Sequence, residues 1–149
     1  CIGVNQASVA GNTTTIRRVG SLSSWLTTNV SRGSGGANGG YNSGTGLTVA
    51  ATDGTTRAFA ESQLKTVMQA AFTAGGKPSI AMMSPGQKVN FSAFAGNAVN
   101  RVDNSPAKGS STQMAIMAAA DVYKSDFGNL TAVPNRECRT RDVVLLDPR

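Results

Sequence analysis

Histidine is absent from this chain, and that absence excludes more than any residue present suggests. It removes the commonest metal ligand and general base, and with them every histidine-dependent nucleophile triad. Only two cysteines occur, Cys1 and Cys138. They form at most one bridge, give no zinc-like spacing and suit free thiols in a reducing cytoplasm better than a disulfide framework. Aromatics are scarce, with one Trp, two Tyr and five Phe, so the core has to rest on Ala, Val, Leu and Met and buries little area per residue. No apolar run approaches the roughly 18 residues of a membrane span, and no signal peptide is visible.

What is present in quantity is glycine, 17 in 149 residues, with a formal net charge of +6 and a pI near 9.9. The length suits a single domain over residues 1–149, long enough to bury a core. The positive balance permits contact with nucleic acid without establishing it. The charges are dispersed, apart from Arg17-Arg18 and a group of Arg136, Arg139, Arg141 and Arg149 interrupted by Glu137, Asp142 and Asp147. That second group reads as a solvated face. The chain opens on Cys rather than Met, which suggests a fragment or a processed product; a mature lipoprotein is the weaker alternative.

The organising stretch is Phe59 to Met83. Leu64, Val67, Met68, Ala71 and Phe72 recur at the spacing of a helix with one buried stripe. Gly75-Gly76 ends it, Lys77-Pro78 forbids continuation, and residues 79–83 read as a short buried strand. Asp53, Thr55 and Thr56 are candidate caps for the helix. Upstream, Leu22, Trp25 and Leu26 fit one or two helical turns, with Trp25 expected as an anchor against the main helix. The seven glycines of residues 31–46 predict a mobile loop unable to pack a core. They lack the Gly-Lys-Ser/Thr ending of a phosphate loop and the strand–helix context of a dinucleotide fingerprint. Residues 47–51 fit a short strand.

After the strand at 79–83, Ser84-Pro85-Gly86-Gln87 looks like a helix start, with Phe91 and Phe94 on one face. Residues 95–111 have loop chemistry. Residues 122–127 and 130–133 then form a hairpin signature around Gly128-Asn129, and Pro134 stops the second strand or puts it at an edge. Val143 to Leu146 is apolar enough for a strand covered on both faces. The resulting fold class is α+β: a mixed small sheet, flanking helices and long Gly-rich loops.

No catalytic, cofactor-binding or metal-ligating residue emerges. Asp121 and Asp126 are the closest carboxylate pair, but strand alternation sends them to opposite faces. Asp126-Phe127-Gly128 spells the kinase magnesium motif, yet Arg141-Asp142 follows it where a catalytic loop would precede. Tyr123 and Phe127 share a strand face from which Lys124 points away, so a single-strand binding platform is poorly supported. The sequons at Asn12, Asn29, Asn90 and Asn129 follow from an Asn/Ser/Thr-rich composition.

Several long blocks carry a resemblance. Residues 5–47 (NQASVAGNTTTIRRVGSLSSWLTTNVSRGSGGANGGYNSGTGL), residues 51–85, ADVYKSDFGNLTAVPNRECRTRD and VVLLDP resemble, in the same order, the major capsid proteins of tailed phages and prophages with the Hong Kong 97-type fold. Glu137 and Cys138 depart from the family pattern, and residues 91–104 match it loosely. The resemblance implies a structural protein: an axial domain plus strands returning to a peripheral domain, part of a longer subunit. It implies identical capsid subunits as partners, non-specific contact with packaged double-stranded DNA, a place in the virion capsid after synthesis in the bacterial host cytoplasm, and neither a cofactor nor a small-molecule substrate. A basic nucleic-acid-binding module is the alternative suggested by charge, and a hydrolase built on Asp121 and Asp126 a more remote one.

Overall fold

The computed structural model describes residues 4–94 and 122–148. Their architecture is α+β, in two parts that are packed by different means.

The carboxy-terminal part is a sheet with two helices on one face. Helix α1 spans Glu61–Thr73 and helix α2 spans Pro85–Ser92; strands β3 (Ile80–Met83), β4 (Val122–Ser125), β5 (Gly128–Pro134) and β6 (Val143–Leu146) form a four-stranded sheet ordered β4-β5-β3-β6. β3 pairs parallel with β5 and antiparallel with β6, and β4 pairs antiparallel with β5. Alternation along the strands decides which side is packed. Ala81 and Met83, Leu130 and Ala132, and Tyr123 meet Leu64 and Met68 of α1 with Phe91 and Phe94 in one buried cluster, against which Val143 and Leu145 pack. The other side carries Ile80, Met82, Val144 and Leu146, half-buried, and Val122 and Val133, 49% and 37% exposed. Among the described residues β6 is therefore an edge strand packed by helices on one face, where coverage on both was expected.

α1 begins without a side-chain cap, on Ala60. The candidates Asp53, Thr55 and Thr56 lie too far upstream and serve elsewhere. Glu61 compensates in part: it sits in the first turn, where the helix dipole favours an acid, and pairs with Lys65 one turn on at 2.9 Å. The expected stop is present in full. The Gly75 amide donates to the Phe72 carbonyl and the Gly76 amide to that of Ala71, at 2.9 and 2.8 Å, with Gly75 at φ +86°. This is the paired-bond glycine termination that satisfies the last carbonyls of a helix. Phe72 leaves the buried stripe and rests on Phe127, ring centroids 5.6 Å apart.

Phe127 belongs to the hairpin turn. Ser125 pairs with Gly128, so the two-residue connection is Asp126-Phe127 and not Gly128-Asn129. The Ser125 hydroxyl explains the shift: it accepts from the Phe127 amide at 3.2 Å and donates to the Gly128 carbonyl at 3.1 Å, closing the turn from within. Pro134 ends β5, which is an inner strand and not an edge. The expected loop at 95–111 lies outside the described residues.

The amino-terminal part is built from loops, a 3₁₀ turn at Leu22–Ser24 and a hairpin of β1 (Gly40–Asn42) and β2 (Leu47–Val49). The glycine-rich stretch is thus partly strand, and it packs. Its core is made of hydroxyl groups. Ser21, Ser24 and Thr48 are buried; Ser24 Oγ donates to the Ser21 carbonyl at 2.7 Å and to Thr48 Oγ1 at 3.2 Å. Ser8 and Thr48 exchange amide-to-hydroxyl bonds at 3.0 and 2.6 Å. Among the described residues no buried side-chain nitrogen or oxygen lacks a partner, as such a polar interior requires. Glycine supplies the close approach: a Cβ on Gly39 would stand 2.6 Å from Ser24 Cα and 2.7 Å from the Ser23 carbonyl. Trp25 is not the anchor expected of it. It is 54% exposed and stacks at 7° on Tyr41, itself 59% exposed; Leu22 and Leu26 line a cleft that α1 also lines.

Two glycine substitutions separate these packing modes. Gly39→Ala should destabilise by about 2 kcal/mol, because backbone atoms must move. Gly86→Ala, in the first turn of α2 with open space around it, should stabilise by about 0.5 kcal/mol. Urea denaturation of the two variants checks both signs.

Candidate functional site

The two parts are joined by an ion-paired cluster centred on one carboxylate. Asp53 follows β2 in a turn whose next residue, Gly54, takes φ +69° and lies so close to Gly33 that a Cβ would stand 2.5 Å from the Gly33 carbonyl. On the other side, β5 ends at Pro134 and the chain turns through Asn135, whose Oδ1 accepts from the Glu137 amide at 2.8 Å. Cys138 then tucks in as a buried anchor, and Arg139 is thrown toward Asp53. Its Nη1 and Nη2 reach Oδ1 and Oδ2 at 3.1 and 2.6 Å, a two-pronged pairing. Arg139 Nη1 also contacts Asp142 at 3.2 Å, and Arg141 bonds Asp53 Oδ2 at 3.4 Å and Thr56 Oγ1 at 2.7 Å.

Of the arginines expected on a solvated face, Arg136 and Arg141 are exposed and Arg149 lies outside the described residues, but Arg139 departs from that expectation. The Arg139 side chain is only 16% exposed. Its hydrogen bonds hold Asp53 below the usual carboxylate range; burial opposes them, and the charges of Arg139, Arg141 and Arg32 reinforce them. Burial pushes the Cys138 thiol up, with Asp142 adding to the effect. Tyr123 is raised well above the usual phenol range by burial and by its 2.7 Å bond to Glu61.

Beside the clamp opens a cleft of ≈ 490 Å³ between α1, β6 and the loops at 22–33 and 53–59. Leu26, Phe59, Leu64, Val67, Val143 and Leu145 are its apolar lining, and Arg32, Asp53, Thr55, Thr56, Arg57 and Arg141 its polar lining. Asp147 lies at the far end of β6, accepting from the Lys77 amide at 2.9 Å.

The residues weighed for chemistry do not gather here. Asp126 is exposed in the β4–β5 turn, Phe127 packs on Phe72, and Asp121 lies outside the described residues. Among the described residues no three acidic or thiol groups come together to hold a metal, and no helix is long and apolar enough to cross a membrane. Sequence reading missed Asp53 as the partner of Arg139 and Arg141; a separation of more than eighty residues leaves no periodic signal, only an acid beside a glycine turn.

Asp53→Asn should remove the paired charge and cost about 2 kcal/mol at neutral pH. Because the folded carboxylate titrates below its unfolded counterpart, its contribution is present above the unfolded pKa and disappears as pH falls through the folded one. The gap in thermal midpoint between wild type and Asp53→Asn should be widest near pH 7 and narrow progressively below about pH 4.

Compared with curated proteins and with solved structures, the chain matches none. The family of the SU10 major capsid protein, by contrast, matches across residues 1–149. That is a structural family and not an enzyme family, and it gives no support to a free-standing nucleic-acid-binding module. An ion-paired junction, a self-satisfied hydroxyl core and exposed valines on one side of the sheet are compatible with a building block. This chain belongs to the SU10 major capsid protein family, and its role is that of a structural subunit of a phage capsid.

Proposed function

We propose that residues 1–149 form one domain of a Hong Kong 97-type subunit: the axial domain, with strands that return to a peripheral domain. The reading is supported by the α+β layout, in which, among the described residues, a mixed four-stranded sheet has helices α1 and α2 on one face. Family membership over residues 1–149, taken with the apolar surface left exposed, is the observation that carries it. Trp25 and Tyr41 stack at the surface, and Val122 and Val133 stand on the open side of the sheet. Exposed apolar side chains mark contact sites, and exposed Trp and Tyr are the side chains that most often dominate them. In a shell each contact is repeated many times, so modest pairwise affinities suffice.

The subunit acts by shape and adhesion, made in the host cytoplasm and incorporated into the virion. Its positive balance faces packaged double-stranded DNA through salt-sensitive phosphate contacts without base readout.

Electron microscopy of the full-length subunit tests the reading. Wild type should give closed shells. Joint replacement of Trp25 and Tyr41 by Ala should cut shell yield at least about tenfold, a loss of roughly 1.4 kcal/mol per contact, while the thermal midpoint stays within a few degrees. Absence of shells from wild type, or full yield from the double variant, would count against it.

A further inference from the structure

The clamp leaves positive charge over. Arg32, Arg57 and Arg141 line the cleft with two carboxylates, Asp53 and Asp142, and Arg139 pairs with both acids from beside it. Arg139 is committed to both acids and Arg141 to Asp53. Arg32 and Arg57 make no ion pair among the described residues: Arg32 Nε donates to Asn38 Oδ1 at 2.8 Å, and Arg57 Nη2 to Ser31 Oγ at 2.6 Å. A guanidinium has five donors, so each retains a planar set beyond the one bond described. Ser31, Thr55 and Thr56 line the same cleft, the Thr55 hydroxyl donating to the Ser34 carbonyl, and Gly33 and Gly54 lock the two arginine-bearing loops against one another.

We propose that Arg32 and Arg57, with Arg141 on the same cleft, form a phosphate-binding site that takes the phosphodiester backbone of double-stranded DNA. The proposal rests on the reading of the chain as a shell subunit in contact with DNA and names the residues of that contact. Forked guanidinium donors flanked by hydroxyls suit tetrahedral oxyanions, which accept several bonds at once. A carboxylate from a second copy fits less well. Of the six described acids, Asp53 and Asp142 lie inside the cluster, Glu61 is held by Lys65 and Tyr123, and Asp147 by the Lys77 amide. Only Asp126 and Glu137 remain to be offered, on separate turns.

The test uses the full-length subunit, a 20-base-pair duplex of arbitrary sequence and inorganic pyrophosphate as competitor, with anisotropy read at 50 and 200 mM salt. Joint Arg32→Gln and Arg57→Gln should weaken duplex binding roughly tenfold at the lower salt. It should also flatten the slope of log affinity against log salt by about two, one unit per lost phosphate contact. Lys124→Gln, on the exposed side of β4, controls for net charge and should cost less than about threefold. Pyrophosphate should displace the duplex from wild type and not from the double variant. The single variants carry the same comparison if the double one melts early. The proposal is overturned if the double variant loses no more than Lys124→Gln, or if pyrophosphate fails to compete. It is equally overturned if shells vanish while DNA and pyrophosphate binding persist, since the guanidinium groups would then grip a neighbouring subunit. Failure of wild type to form shells at all, with phosphate binding intact, would strike the assembly reading and leave this site standing.

Discussion

The Asp53–Arg139 pairing is the constraint on which the rest depends. It ties a loop-built amino-terminal part to a sheet-built carboxy-terminal part across a sequence separation that no local element bridges. Its partners explain why the pairing is favourable. A bidentate guanidinium with a second acid at Asp142, and a second arginine on Asp53, leaves few lone pairs or protons unanswered in a half-buried setting. Desolvation is the usual cost of such an arrangement, and saturation of the hydrogen bonds is what offsets it.

The two joined parts obey different packing rules, and this reconciles a modest apolar content with an ordered chain. Around α1 and the sheet, Leu64, Met68, Met83, Phe91 and Leu130 exclude water in the ordinary way. Around Ser21, Ser24 and Thr48, order comes from hydroxyl groups that satisfy one another and from glycines that let backbones approach. Few large aromatics are then needed. Trp25 and Tyr41 are left at the surface, where a subunit can use them against its neighbours.

Periodic features were legible and pairwise ones were not. The α1 stripe, its glycine stop, the strand at 80–83, the proline-led start of α2 and the apolar β6 all declare themselves through spacing or backbone chemistry within a few residues. Trp25 was misread because one exposed indole has the same letters as a buried one; its stacking on Tyr41 comes from hairpin geometry. The turn at Asp126-Phe127 was displaced from Gly128-Asn129 by a single serine hydroxyl. Glycines at 33 and 39 signalled flexibility in one dimension and close contact in three. The candidate site was the least legible part, since Arg139 reads as one charge among several until Asp53 is brought to it.

The hydroxyl core has a thermal consequence. Exposing apolar surface raises heat capacity on unfolding, whereas exposing polar surface lowers it. The sheet part should therefore carry most of the curvature of the stability curve, and the amino-terminal part should contribute little or offset it. As temperature drops, the drive that packs Phe91 and Met68 weakens, while the Ser24–Thr48 network does not share that decline. In the cold, the seam between the two parts becomes a boundary between a loosening layer and a holding one.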